Sequence, residues 1–421
     1  MIKNKKKIDF VIVFSFVVMF LYTTYYLFTR SFTPVLQDYI MEDMRLTAFE
    51  WSSLTSAFSA AYGIFQIIGG YTMDKIGLNI LCPLLLTIGS LLNYYFAIST
   101  NLNLSIYLRY GLGATFSVAS TALLKYLSIV VPSHLFSKFV YGIYALVNFI
   151  CMMTNTITFK NMIGTLGWRK FYLIYTIIGG IISLLLLISL NMFYKQNINN
   201  RESENKKDEN VCLIEGLKYL LKSKNYLISC LFSVFISNIF YVASDGWLNK
   251  LVDGLMPNLL ENQKSFACVG LYAGATAANF IGIAISFWLL RYQMLSYVVL
   301  LTAGLSFILY SGSTSILMMM IACVLIGLTS SAQTVSFDYT ERSIPNKYLG
   351  LGFGVLNCCV MYLGCGLPQK LAGLYLDIIK GTSSVYLTIH YVKLFRLGYL
   401  TIILSLIFCL IFTGDKEKYS K

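Results

Sequence analysis

Long apolar stretches, each about the length needed to cross a bilayer, alternate with short polar turns through this chain. Twelve such runs are read at about 9–34, 51–73, 78–98, 103–131, 135–158, 171–194, 225–248, 265–290, 293–311, 314–337, 348–373 and 387–413. Each is close to the roughly 20 mainly apolar residues that a helix needs to span the hydrocarbon core. One polar segment is long, the stretch 195–224 that contains QNINNRESENKKDENVCLIEGLKYLLKSK, and it leaves six runs on either side. The pattern predicts an all-α membrane protein of twelve transmembrane helices in two six-helix bundles. The boundaries expected are 1–194 for the first bundle, 195–224 for a linker, 225–413 for the second bundle and 414–421 for a tail. Within the linker, NRESENKKDEN has the composition of a disordered segment. The helical spacing of Leu213, Leu217, Leu220 and Leu221 predicts an amphipathic helix on the membrane surface.

Composition agrees with this class: 57% of residues are hydrophobic and 12% charged, with a mean hydropathy of +0.69. The apolar run after MIKNKKK is longer than a signal h-region and lacks a small-residue cleavage site, so it is read as a retained first helix. Lys3, Lys5, Lys6 and Lys7 place the N-terminus in the cytoplasm by the positive-inside rule. An even number of spans returns the C-terminus to the same side, where Lys416, Lys418 and Lys421 stand, and the first outer loop carries Asp38, Glu42, Asp43 and Glu50. The expected location is a bacterial inner (plasma) membrane, with both termini cytoplasmic.

The net charge of +13 does not point to nucleic acid, because much of it flanks the spans, where it sets topology and meets anionic lipid. Most of the ten cysteines lie inside apolar runs without CxxC or metal-ligand spacing, so free buried thiols are expected. His134 and His390 fall near opposite faces, and no nucleotide loop or nucleophile elbow is present. An enzyme, a metal and a cofactor are therefore not expected, and the chain is expected to work as a monomer.

Helical geometry groups the polar residues, since positions three, four and seven apart share a face. In the first run Tyr22, Tyr26, Arg30 and Thr33 form one stripe. An arginine at that depth faces a cavity, pairs with a carboxylate or binds an anion; the other reading ends the helix earlier and leaves Arg30 at the outer interface. The second run gives Phe58, Tyr62 and Gln66, and the fifth gives Tyr141, Tyr144, Asn148 and Asn155. Aromatic stripes serve packing as readily as binding, whereas the amides demand partners. Lys125 either snorkels outward or joins the cavity, and Arg109 is read as a structural residue near the outer side. In the second half the candidates are Tyr241, Gln333 and Asn357 for binding and Asp245 for proton coupling, with an outer-loop acid as the other reading of Asp245. Asp338, Glu341 and Arg342 are read as an ion-pair gate at the cytoplasmic end of the tenth run. Gly270, Gly274, Ala278 and Gly282 recur every fourth residue, the stripe of a close helix contact. GLGFG in the eleventh run follows no strand, which excludes a dinucleotide loop.

The loop after the second run reads GGYTMDKIGLN, and the fourth run opens RYGLGAT. Gly70, Asp74, Lys75 and Gly77 are spaced like the loop signature of the major facilitator superfamily, and Arg109 and Gly113 match its fourth-helix arginine and glycine. The sequence thus resembles that superfamily, although Leu78 and Asn79 replace the usual basic residues and Thr115 replaces a glycine. In the second half GIAISFWLLRYQ keeps Gly282 and Arg291 but has Ser286 in place of an acid. The blocks YYLFTRSFTPVL, YGIFQIIGGYTMD, LKYLSIVVP and GWRKFY, with the segment 327–377, resemble the nutrient transporters of intracellular bacteria. The resemblance implies alternating access about a midplane site, with Asp74 and Lys75 as a cytoplasmic gate.

The expectation is a secondary active transporter of a small polar nutrient, an amino acid or another carboxylate-bearing metabolite, coupled to protons. Arg30 would meet the carboxylate; Gln66, Asn148, Gln333 and Asn357 would supply hydrogen bonds, and Tyr26, Tyr62 and Tyr241 would supply walls and hydroxyls. The alternatives are an exporter of a siderophore or drug-like molecule and a non-transporting membrane sensor of the same fold.

Overall fold

The structure is a computed structural model that describes residues 10–153, 157–198, 213–285, 289–311, 315–383 and 385–413. Nine of its helices among these residues are long and apolar enough to cross a membrane: Phe10–Val35, Leu78–Ile98, Leu102–Val130, Trp168–Gln196, Lys224–Leu255, Leu290–Tyr310, Ile316–Ser343, Tyr348–Lys380 and Thr388–Ile411. They are the first, third, fourth, sixth, seventh and ninth to twelfth spans. Ala48–Ile76, Ser133–Met153 and Glu261–Ile285 supply the second, fifth and eighth. Each span has one face against its neighbours and one directed outward. On the second, Phe58, Tyr62 and Gln66 are buried while Ile64, Phe65 and Ile68 are exposed. An apolar outward face of this extent suits lipid rather than water.

Hydroxyls and rings tie the first span to the sixth. The Tyr175 hydroxyl donates to the Tyr25 carbonyl at 2.5 Å, Thr29 and Tyr175 share a hydrogen bond of 2.9 Å, and Thr33 and Tyr172 another of 2.9 Å. Tyr25 and Tyr175 stack at 4.2 Å. In the other half the glycine stripe makes the close contact that its spacing predicts. A Cβ on Gly274 would stand 2.2 Å from the Val324 carbonyl oxygen, and one on Gly327 of the tenth span 2.1 Å from that of Leu271. The surroundings of Gly282 lie outside the described residues.

The two six-helix halves meet along two seams, the second span against the eleventh and the fifth against the eighth. The sixth span continues as helix to Ile198, four residues beyond the boundary expected at 194. The part of the linker expected to be disordered, 200–210, lies outside the described residues. Leu213–Lys222 is helical. It buries Leu220, exposes Ile214 and Leu221, and sets Tyr219 against Tyr348 with ring centroids 5.3 Å apart. The amphipathic helix is thus seated on the start of the eleventh span.

Several spans depart from a straight helix. The fourth is broken between Phe116 and Ala119, the tenth carries a tight turn at Thr329–Ser331, and the eleventh has a widened turn at Cys359–Gly366. The seventh is sharpest: the helix loosens over Ala243–Trp247, where Gly246 adopts φ +99°. That region of backbone space costs an L-residue with a Cβ, so a glycine is required at this kink.

Candidate functional site

A cavity of about 260 Å³ lies between the halves. The first half contributes Arg30, Thr55, Ser59, Arg109, Tyr144 and Asn148 to its wall; the second contributes Tyr241, Asp245, Asn279, Gln333 and Gln369. Of the residues singled out for binding, the structure places Arg30, Asn148, Tyr241 and Gln333 on this wall, and Asp245, singled out for coupling, stands with them.

Arg30 is held from across the interface. Its guanidinium lies 5.0 Å from the Tyr241 ring centroid, and its Nη2 donates to Cys365 Sγ at 3.6 Å. Cys365 in turn donates to Ser59 Oγ at 3.2 Å, so residues of the first, second, seventh and eleventh spans fix the cation. None of the salt bridges among the described residues involves Arg30. A cation withdrawn from bulk water without a counter-ion carries a desolvation cost of several kcal/mol. An anion entering the cavity would offset much of that cost.

Arg109 stands on the same wall, which differs from its reading as a structural residue near one face. It is 2% exposed, donates to Thr33 Oγ1 at 3.3 Å and lies 4.9 Å from the Phe58 ring centroid. Its Nε has no partner among the described residues. The fourth-helix glycine of the signature, Gly113, has a steric reason of its own: a Cβ there would stand 2.2 Å from the Phe58 carbonyl oxygen.

Asp245 faces the cavity from the kink of the seventh span. Its side chain is buried, and both carboxyl oxygens lack a hydrogen-bond partner among the described residues. Its main-chain oxygen accepts from Trp51 Nε1 of the second span at 3.3 Å. The acid is therefore an integral part of the interface and not a loop residue.

The remaining candidates stand back from the wall. Asn357 accepts from Gln333 Nε2 at 2.7 Å and so orients an amide that does line the cavity. Tyr26 and Tyr62 stack at 5.2 Å, and Tyr62 shares a hydrogen bond of 2.7 Å with Ser120. Gln66 is buried with neither amide atom partnered among the described residues. Arg342 pairs with Asp338 one turn away on its own helix, at 2.8 Å through Nε, and Glu341 is exposed; among the described residues, neither Glu341 nor Arg342 forms a salt bridge to the first half. Asp74 and Lys75 fall in the second span, but their side chains lie outside the described residues. Lys125 donates to the Met73 carbonyl at 3.5 Å. Sequence reasoning did not single out Thr55, Ser59 or Asn279, because small polar residues are common in packed spans. Gln369 carried a signal, an amide inside an apolar run, and now lines the cavity.

The sequence pattern of the Major Facilitator Superfamily matches residues 18–367. The chain belongs to this superfamily. Solved structures agree in fold: a nucleoside transporter, NupG, superposes with a TM-score of 0.72 at 11% identity, covering 96% of this chain and all of that one. A bacterial homolog of the human lysosomal transporter Spinster, in an inward-facing and unoccupied conformation, gives 0.65 at 14% identity and covers 98% of each chain. No curated protein matches the sequence significantly. As a superfamily member the chain is a multi-pass membrane transporter and not an enzyme, and its partners are a small molecule and membrane lipid.

Proposed function

We propose that the protein moves a small, carboxylate-bearing polar nutrient, an amino acid being the leading class, across a bacterial inner membrane by alternating access. The observation that carries this reading is Arg30, a cation on the cavity wall with no carboxylate paired to it among the described residues. Its planar fork suits a carboxylate, and Asn148, Gln333 and Gln369 offer both donors and acceptors to the rest of a polar solute. The volume, about 260 Å³, is near the lower end of small-molecule sites.

Accumulation is driven by protons, with Asp245 as the carrier. A carboxyl group in a closed, partner-poor setting exchanges its proton when rocking changes its surroundings. The domain boundaries, the cytoplasmic termini and the monomeric state remain part of the same proposal, with the linker at 195–224 joining the halves.

Uptake of labelled amino acids and of simple carboxylates into proteoliposomes tests the reading. Arg30→Lys keeps the charge but loses the fork; uptake efficiency is expected to fall by about 10- to 100-fold, or about 1.4–2.7 kcal/mol. Wild-type kinetics in both Arg30→Lys and Arg30→Ala would remove the arginine from the site. Binding without flux would favour the sensor, and net flux out of cells the exporter.

A further inference from the structure

At the face opposite the linker, the second span begins in a way that its own half does not complete. The first amides of any helix lack intrahelical acceptors. Here Thr47 and Glu50 cap each other: the Thr47 N–H donates to Glu50 Oε2 at 2.8 Å and the Glu50 N–H to Thr47 Oγ1 at 3.3 Å. The two amides between them turn to the other half. The Ala48 N–H donates to the Tyr386 hydroxyl at 3.0 Å, and the Phe49 N–H to Asp377 Oδ2 at 3.0 Å. The Tyr386 hydroxyl donates in turn to Asp377 Oδ1.

We propose that Asp377 and Tyr386 form a latch that closes this face by capping the second span from the opposite half. Four facts converge on it. The Asp377 carboxylate, accepting the Phe49 N–H at a helix N-terminus, makes a charge-assisted bond favoured further by the helix dipole. Burial, followed by the hydrogen bond to Asp377, pushes the Tyr386 hydroxyl up to about 12, so it stays a donor at any working pH. Lys380 lies over the Tyr386 ring, 4.2 Å from its centroid, and keeps the ring in place. Beneath the latch, Gly373 lets the spans touch: a Cβ there would stand 2.3 Å from the Ala48 carbonyl oxygen and 2.6 Å from Ser52 Cβ.

The consequence is conformational. When this face opens, two helix-initiating amides leave a fixed carboxylate and hydroxyl for water, so the latch favours the closed state and must release in every cycle. By contrast, the pair between Lys250 and Asp38 on the same face is largely exposed on its acid side and is screened by salt.

The inference rests on the rocking of two halves proposed above, but its test needs no substrate. Spin labels at Glu42→Cys and Thr382→Cys, exposed positions on the two halves, report the separation across this face in the full-length protein by electron-electron resonance, with unpaired single-label variants as the control for native thiols. The wild type is expected to give mainly a short distance, and Asp377→Ala to add a longer population by at least about threefold. Tyr386→Phe, which removes one hydroxyl and retains the ring, serves if the alanine variant does not fold; it is expected to shift the distribution in the same direction and less. Adding Tyr386→Phe to Asp377→Ala is expected to change little more, since the two groups act as one unit. Distance distributions identical to wild type in folded Asp377→Ala and Tyr386→Phe overturn the latch, even if uptake is intact. Absent uptake of amino acids and carboxylates by the wild type, with shifted distances in the variants, instead overturns the proposed substrate class and leaves the latch standing.

Discussion

The first and seventh spans place a basic and an acidic side chain in one cavity by different means. The first runs unbroken past Arg30 to Val35, and packing against Tyr241 and Cys365 fixes its cation. The seventh breaks at Gly246, and its acid, Asp245, faces the cavity without a hydrogen-bond partner among the described residues. A cation immobilised on an intact helix suits constant recognition of a ligand. A buried acid on a kinked helix suits a group whose state changes as the halves move. On this difference rests the proposal that binding belongs to one span and switching to the other.

The largest expected effect tests the switching side. A neutral amide imitates the protonated carboxyl, so Asp245→Asn should still rock when loaded but cannot release a proton. Accumulation driven by a pH gradient is expected to fall to background, while exchange of labelled substrate across the membrane stays within about one order of magnitude of wild type. Accumulation that survives the substitution moves coupling to another group, such as Glu341, and ends the contrast between the spans.

The kink itself gives the next effect. Gly246→Ala adds a Cβ at φ +99°, 2.2 Å from Gln37 Oε1 and 3.3 Å from the Pro34 carbonyl oxygen. The backbone strain alone is about 1–2 kcal/mol, and Gln37 must shift besides. A melting temperature lowered by a few degrees, with proton-driven uptake reduced more than substrate binding, is the expected outcome. Equal stability and uptake would mean that the glycine is dispensable and that the broken helix does not place the acid.

How much of this was legible follows from what each signal measures. Spans were legible because crossing a bilayer demands long apolar runs, and Arg30 because a charge at depth demands a reason. Helical phase also found Gly270 and Gly274, which meet the tenth span. Phase alone does not give tilt or breaks, so it could not say that Arg109 stands on the cavity wall, nor that Tyr26 and Tyr62 stack together behind it. Nor could it foresee Asp377 and Tyr386 capping a helix more than 300 residues away in sequence. That contact depends on how the halves dock, which no local pattern encodes.

The smallest expected effect sharpens the binding side. Gln333 is a cavity-lining amide of the tenth span that is held by a neighbour, since its Nε2 donates to Asn357 Oδ1 at 2.7 Å. Gln333→Leu removes an amide from the cavity wall and also strips Asn357 of its donor, whereas Asn357→Leu leaves Gln333 on the wall but unoriented. A neutral hydrogen bond is worth about 0.5–1.5 kcal/mol net, so each change should raise KM by about 2- to 12-fold with kcat nearly unchanged. The double variant should cost little more than Gln333→Leu, because Asn357 acts on the solute only through Gln333. Additive losses would instead give Asn357 its own contact with the substrate, and would move the wall of the cavity one layer outward from where its side chains now stand.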